Sequence, residues 1–202
     1  MKVGIKSLIG VFLIGCVFAS SAQSVFPTRM DIDVSTKRDT RNIGAGSDGE
    51  AKVTMVQCSV KIRKTGGATS EDPFHVELYI IGQQIQTGYY GIMDVVKKTF
   101  TFDKEDDNSF HFSTKSYPFG ETSGNINVGA KYETYLIVVT DKDGKILETR
   151  SGRAISDKGI AFIRELGPKT LFDRDGNVIG KVENPGSAFR SAIPAAVEGN
   201  DE

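Results

Sequence analysis

Two short acidic segments contain carboxylates at a spacing that invites a calcium site. Asp141–Gly144 reads DKDG and Asp173–Gly176 reads DRDG. An EF-hand loop has further oxygen ligands before its glycine and a bidentate glutamate at its end, and neither segment supplies them. In a hairpin turn, by contrast, aspartate accepts hydrogen bonds from nearby backbone and glycine adopts positive φ. The spacing therefore favours two structural turns over two calcium sites.

The only two histidines, His75 and His111, are the next candidates for a metal site, with Glu77 as a third ligand. They lie on two separate predicted strands, and the sequence does not establish how these strands pair. A structural zinc ion needs a complete tetrahedral set of protein ligands. We interpret both histidines as residues of a sheet surface, and we predict neither a metal nor a cofactor.

Nucleophilic catalysis needs an activated side chain, and Cys58 is the candidate. It shares one face of a predicted strand with Thr54, Val56, Val60 and Ile62. A free cysteine in such a place behaves as a small hydrophobic residue. The chain also contains no G-x-S-x-G elbow and no phosphate-binding glycine loop. We therefore predict a non-enzyme, and a hydrolase with paired carboxylates across a cleft is the alternative.

Tyr89 and Tyr90 are the candidate binding residues. They are flanked by Gly88 and Gly91 in a glutamine-rich segment, Gly82–Asp94, that we expect to be a connecting loop. Tyrosines in a loop at the end of a sandwich are rigid, amphipathic anchors for a ligand. The competing interpretation is that one of the two rings simply covers the end of the sandwich.

The N-terminus predicts export. Residues 1–22 combine two lysines, an apolar run and a closing stretch of small residues, which is the form of a secretory signal peptide. Leu13–Cys16 also fits a bacterial lipobox, in which Cys16 would carry a lipid. The apolar residues after Cys16 favour ordinary cleavage. The expected location is the periplasm, the outer membrane or the cell surface, with membrane attachment only through a lipid at Cys16 or through a partner.

The charge of the chain disfavours nucleic acid as a partner. The signal peptide holds two of the 25 basic residues and none of the 26 acidic ones, so the mature chain has 23 basic residues and a net charge of −3. Lysine and arginine form no basic stripe and do not alternate with aromatic residues. Removal of Cys16 also leaves Cys58 as the only cysteine, so no internal disulfide can form.

The chain after the signal peptide divides into three predicted parts. Residues 23–50 lack periodicity and predict a flexible leader, with Met30–Val34 as a short edge strand. Residues 51–180 contain the alternating apolar patterns of a folded β-sandwich domain. Residues 181–202 are rich in Pro, Gly, Ser and Ala and predict a disordered tail.

Within the domain, alternation of apolar and polar residues predicts the strands. Ala51–Lys64 is the clearest strand, and Phe74–Ile81 follows it with a second face that is exposed at its start and buried at its end. Val95–Asp103 and Ser109–Tyr117 each contribute two phenylalanines, and we expect them to pair as a hairpin. Tyr117–Ala130 is rich in glycine and predicts a surface crossing.

Lys131–Gly152 predicts a β-hairpin around the DKDG turn. Its first strand is apolar on both faces, which is typical of a central strand. Asp157–Leu166 then predicts a short C-terminal helix, which Gly167 and Pro168 would end, although Ile160 and Phe162 fit a strand equally well. Six or seven strands with glycine-rich connections indicate a mainly β fold, an antiparallel β-sandwich of immunoglobulin-like architecture. A small barrel is the second expectation.

Two segments of the domain resemble a known group of proteins. DPFHVELYIIG and KYETYLIVVTDKDGKIL, in an exported domain with so little cysteine, are similar to small envelope proteins of Verrucomicrobia-type bacteria, some of them encoded beside pilus-assembly genes. The resemblance covers roughly Ala51 to Ile179. It implies an immunoglobulin-like domain without enzymatic activity, associated with the outer membrane or a pilus. The chain lacks the long N-terminal helix of type IV pilins, so we do not expect a major pilin of that class.

Three function classes follow from these observations. The first is a structural or interaction protein of the cell envelope or of a surface appendage, whose partners are other envelope or pilus proteins or further copies of itself. The second is a module that binds a glycan or another ligand through the Gly82–Asp94 loop. The unrecognised hydrolase is a third.

Overall fold

The computed structural model describes residues 28–46, 49–67, 72–102, 107–124, 128–152 and 158–182. The expected signal peptide, Cys16 and nearly all of the expected tail lie outside these ranges. The described residues form β1 (Arg29–Gly46), β2 (Gly49–Gly66), β3 (Phe74–Gln84), β4 (Tyr90–Phe100), β5 (Ser109–Ser113), β6 (Tyr117–Gly124), β7 (Val128–Thr140), β8 (Ile146–Ser151), α1 (Gly159–Glu165), β9 (Thr170–Phe172) and β10 (Val178–Lys181).

The strands form an antiparallel sandwich of two sheets. In the first sheet, β2 pairs with β1 along one edge, and with β6 and then β5 along the other. The second sheet has the order β4-β3-β7-β8, and the β9–β10 hairpin extends it beside β4. The start of β7 also pairs with β6, so one strand connects the two sheets.

This strand order is that of an immunoglobulin-like sandwich. In such domains strands A, B and E share one sheet, whereas C, F and G share the other. Here β1, β2 and the β5–β6 pair take positions A, B and E, and β3, β7 and β8 take positions C, F and G. The predicted fold class is confirmed. Among the described residues the sheet does not close on itself, so the small barrel is not formed.

The main core lies between the two sheets. The predicted alternation of β2 and β3 is confirmed, because the residues that face this core are at most 4% exposed. They are Val56, Cys58, Val60 and Ile62 on β2, and Phe74, Val76, Leu78 and Ile80 on β3.

A cluster of phenylalanines fills one part of this core. Phe100 at the end of β4 stacks on Phe110 of β5, with ring centroids 4.5 Å apart, and it also contacts Phe74. The prediction that these two strands pair as a hairpin is wrong, because β4 pairs with β3 and β5 pairs with β2. Rings on facing sheets fill the space between the sheets, whereas rings paired along one hairpin would occupy one face of a single sheet.

A second, smaller core covers the outer face of the second sheet. The helix α1 confirms the short helix predicted within Asp157–Leu166, and β9 follows it. The buried members of this core are Tyr79, Ile81, Ile92, Leu136, Val138, Ile163, Leu166 and Phe172. The strands β3 and β7 are therefore covered on both faces, and the predicted central strand of the Lys131–Gly152 hairpin is confirmed.

Part of the predicted leader is a strand. Residues 29–46 form the 18-residue β1, which pairs along β2. Met30 and Ile32 alternate with aspartates and are only 7% and 2% exposed. The short period-two pattern at Met30–Val34 therefore marks the start of a much longer strand, because pairing with β2 satisfies a backbone that carries few apolar side chains of its own.

Two predicted connections are also largely strand. Tyr117–Ala130 contains β6, in which Tyr117 and Phe119 are buried. Gly82–Asp94 is not a long loop, since β3 continues to Gln84 and β4 begins at Tyr90. Glycine at Gly82 permits this, because a Cβ atom there would lie 2.7 Å from the Phe119 ring. Close packing of neighbouring strands outweighed the low strand propensity of these glycines.

The phenylalanine cluster gives the first testable prediction. Replacement of Phe100 by alanine should lower the free energy of unfolding by about 3–5 kcal/mol, because it removes a buried ring that both sheets contact. Urea denaturation measures this loss. Ile179→Ala on β10 is the control, since Ile179 is 46% exposed and its removal should change stability by no more than about 0.5 kcal/mol. A Phe100→Ala variant as stable as the control would contradict this account of the core.

Candidate functional site

The two acidic segments are turns in the structure, as predicted. Asp141 Oδ1 accepts hydrogen bonds from the backbone N–H groups of Asp143 and Lys145 at 3.0 and 2.9 Å. The Asp173 carboxylate accepts from Asn177 through its backbone and side-chain nitrogens at 2.7 and 2.8 Å, and these bonds lower the pKa of Asp173. Gly144 and Gly176 have φ of +80° and +76°. The hydrogen bonds of both aspartates thus stabilise the turns in which they lie.

The structure does not bring the histidines together with Glu77 as a ligand set. His75 on β3 shares a hydrogen bond with Thr99, and His111 on β5 shares one with Ser109, at 3.0 and 3.1 Å. The two strands belong to different sheets. Within the described ranges, no group of three or more His, Cys, Asp or Glu residues is arranged to hold a metal ion. The absence of a metal or cofactor from the protein stays a prediction.

Glu77 instead holds the helix against the sheet. Its carboxylate accepts hydrogen bonds from Lys97, Arg164 and the Tyr79 hydroxyl, at 2.9, 3.0 and 3.0 Å. Burial raises the pKa of Glu77, but these three donors outweigh burial and the net pKa lies below its ordinary value. Burial, together with the charge and the hydrogen bond of Glu77, raises the pKa of Tyr79 to about 12. This arrangement stabilises an ionised carboxylate that links β3 to α1.

Asp94 plays the corresponding role between the two sheets. Its carboxylate, on β4, accepts from Lys115 and from the Tyr117 hydroxyl at 3.0 Å each, and from the Val95 backbone at 2.9 Å. Burial raises the pKa of Asp94, and these bonds more than reverse the effect. The sequence signal for both sites is a single acidic residue inside an apolar strand, as in FHVELYII and GIMDVV. The partners come from distant parts of the chain, so the signal names only one member of each group.

Cys58 is buried, as predicted, and faces β7. Its Sγ atom lies 4.0 Å from the Tyr132 hydroxyl, and its backbone N–H donates to Thr114 Oγ1 at 3.1 Å. Burial raises the pKa of the Cys58 thiol, and this effect exceeds the opposing hydrogen bonds from Tyr132 and Thr36. The thiol is therefore held in its protonated, unreactive form.

The two candidate binding tyrosines occupy different environments. Tyr89 is half-buried in the turn between β3 and β4, and its backbone carbonyl accepts from Gln84 at 2.9 Å. Tyr90 begins β4, and its ring packs against Phe172 with centroids 5.6 Å apart. Tyr90 therefore contributes to the second core. A binding role for either residue stays a prediction.

A cavity of 380 Å³ lies beside the same turn. Its walls come from three strands: Gln83 and Gln84 of β3, Glu121 and Thr122 of β6, and Lys131 of β7. Ile85 is the one apolar side chain in its lining. The pattern of the sequence pointed to the tyrosines of this turn, whereas the structure forms the cavity from the glutamines that precede them.

The outer edge of β1 is a second candidate surface. Within the described ranges, β1 pairs with β2 alone. Its first residues lie near β8, and Arg150 donates a hydrogen bond to the Ile32 carbonyl. From Thr36 to Asn42 the side chains are half-buried or exposed, and the described part of the chain places no strand beside them. This stretch is called the open edge of β1 below.

Comparisons with known proteins assign no function to this chain. No family model matches the chain, and no curated protein matches it significantly. A crystal structure from Akkermansia muciniphila is 14% identical, covers 63% of this chain and 76% of that chain, and gives a TM-score of 0.27. An X-ray structure of a Northeast Structural Genomics Consortium target is 10% identical, covers 60% and 84%, and gives 0.24. No helix in the described ranges is long and apolar enough to cross a membrane.

The Glu77 contacts predict a specific dependence of stability on pH. The folded-state pKa of Glu77 lies below its ordinary value of 4.5, so its contribution is complete above that pH and is lost as the pH falls through the folded-state pKa. Glu77→Gln should cost about 1–2 kcal/mol at pH 7 and should weaken the fall in melting temperature as the pH drops below 4.5 and through the folded-state pKa. Glu165→Gln, on the exposed side of α1, is the control. Identical pH profiles for the wild type and Glu77→Gln would refute the role.

The environment of Cys58 predicts its reactivity. In the mature chain, without Cys16, the thiol should react with a disulfide reagent far more slowly in native buffer than in urea, because labelling requires local opening. The absorbance of the released thiolate measures both rates. Rapid stoichiometric labelling of the native protein would show that Cys58 is accessible after all.

Proposed function

We propose that this protein is an exported, non-enzymatic structural or interaction protein of the cell envelope, and that it takes part in an assembly such as a surface appendage or pilus. The observation that supports this proposal is the open edge of β1. An unpaired strand edge offers backbone groups to which a strand from another protein can add.

The direction of the backbone groups along β1 follows from its pairing. Cys58 directs both its N–H and its C=O toward Thr114, away from β1. In antiparallel pairing both groups of one residue point to the same side, and the side alternates along the strand. Thr36 lies opposite Cys58, so its groups point away from β2. Arg38 and Thr40 lie two and four residues after Thr36 in the same register. Their backbone groups therefore also point away from β2.

The charges beside the open edge indicate the kind of strand that would add there. Lys37, Arg38 and Arg41 accompany a single acidic residue, Asp39, in this stretch, and all four are exposed. Lysine and arginine on an edge discourage strands of the same charge. A partner strand that carries carboxylates opposite them would be attracted. The partner we propose is thus an extended acidic segment of a neighbouring envelope protein.

Export supplies the setting for this interaction. The three-part pattern in residues 1–22 supports delivery across the inner membrane, and the resemblance over Ala51 to Ile179 supports the outer membrane or a pilus as the destination.

Fractionation of the native cells, with mass spectrometry of the mature N-terminus, tests the location. Recovery of the protein only as a free periplasmic monomer would contradict membership of an assembly.

Substitutions at Thr40 test the strand-addition mechanism. Thr40→Pro removes an N–H that points away from β2, so the fold should tolerate it, while strand addition should be lost. Thr40→Ala keeps the N–H and should keep the association, although both variants lose the exposed hydrogen bond between the Thr40 and Thr54 hydroxyls. Cross-linking in cells followed by sedimentation of the envelope fraction measures association. Equal association of the two variants would overturn the mechanism.

A further inference from the structure

We propose that the cavity beside the β3–β4 turn binds a neutral carbohydrate, a mono- or disaccharide unit. The cavity is separate from the open edge of β1, and the proposal does not depend on the envelope assembly. Its volume of 380 Å³ falls within the range of small-molecule sites in proteins.

The chemistry of the cavity walls matches hydroxyl groups. Gln83 uses its side-chain nitrogen to donate to the Gly88 carbonyl at 3.1 Å, so its amide oxygen is left to accept. Gln84 uses its amide oxygen to accept from the Thr87 hydroxyl at 2.9 Å, so its amide nitrogen is left to donate. A sugar hydroxyl both donates and accepts. Each amide thus keeps one hydrogen-bonding group that its own turn does not use, an acceptor in Gln83 and a donor in Gln84, and a sugar hydroxyl can bind to either.

The charges at the cavity are already compensated by protein groups. Glu121 forms an ion pair with Lys52 at 2.5 Å, and Lys131 lies 3.9 Å from the Glu133 carboxylate. A charged ligand would have to compete with these partners. A neutral ligand can use the same groups as hydrogen-bond donors and acceptors without separating them. The two existing ion pairs therefore favour a neutral sugar over an anionic one.

The cavity is also held in shape before a ligand arrives. The Ile85 N–H donates to the Gly129 carbonyl at 2.9 Å, and the Gly129 N–H donates to the Gln86 side chain at 3.1 Å. Gly129 has a φ of +119°, and a Cβ atom there would lie 2.1 Å from the Gly120 carbonyl oxygen. Only glycine permits this close approach of β6 and β7. Preorganisation of this kind lowers the entropic cost of binding.

Titration of the mature protein with individual neutral sugars tests the proposal. The probes are glucose, galactose, N-acetylglucosamine, cellobiose and lactose, and the measurement is the shift of the side-chain amide signals of Gln83 and Gln84 in nitrogen–proton correlation spectra. At least one probe should shift both signals with millimolar affinity. Absence of shifts with every probe, or shifts confined to other residues, would overturn the site, as would binding of glucuronate with no binding of the neutral sugars.

Variants at the cavity separate the amides from the neighbouring tyrosines. Gln84→Glu keeps the size and the acceptor but removes the donors, and it should weaken binding roughly three- to tenfold, the equivalent of one hydrogen bond. Tyr89→Ala is the matched control, because Tyr89 lies in the same turn but does not line the cavity, and it should bind as the wild type does. Loss of binding in Tyr89→Ala with none in Gln84→Glu would place the ligand on the turn instead. An unchanged melting temperature of each variant shows that the turn is intact.

Discussion

Both faces of β3 and β7 are buried, and the first sheet and the C-terminal helix pack against them from opposite sides. One face of these strands packs against the first sheet, and the other packs against α1 and Phe172. A sandwich of this size buries a limited apolar area, and a third layer adds to it without a disulfide. The C-terminal helix is therefore part of the domain, and the Glu77 carboxylate holds it there through Arg164.

Cys58 and Tyr132 meet at the position where antibody domains have a disulfide. Antibody domains join strands B and F by a disulfide across the core. Here Cys58 occupies the B strand, and the residue beside it on the F strand is Tyr132, whose hydroxyl lies 4.0 Å from the sulfur. The guanidinium of Arg38 lies over the Tyr132 ring at 5.2 Å. Among the described residues, packing and weak polar contacts thus take the place of a covalent link at this position.

The two candidate surfaces, the open edge of β1 and the cavity, are formed by residues outside the buried core. The apolar side chains that β1 adds to the core end at Val34, so the outward backbone groups of the later part of this strand are available at the edge. The β3–β4 turn is fixed by Gly129, so the glutamines before it line a cavity of defined shape.

Local pattern in the sequence determined the elements whose signal is contained within a few residues. The alternation of β2 and β3, the DKDG and DRDG turns, the short helix and the sandwich class all follow from side-chain period and turn chemistry. Only the tertiary structure decided which strands pair, because Phe100 and Phe110 meet across the core from strands of different sheets. It also decided that residues 29–46 form a strand and that Gln83, Gln84, Glu121 and Lys131 line one cavity. These outcomes depend on contacts between residues far apart in the chain, and local propensity carries no information about such contacts.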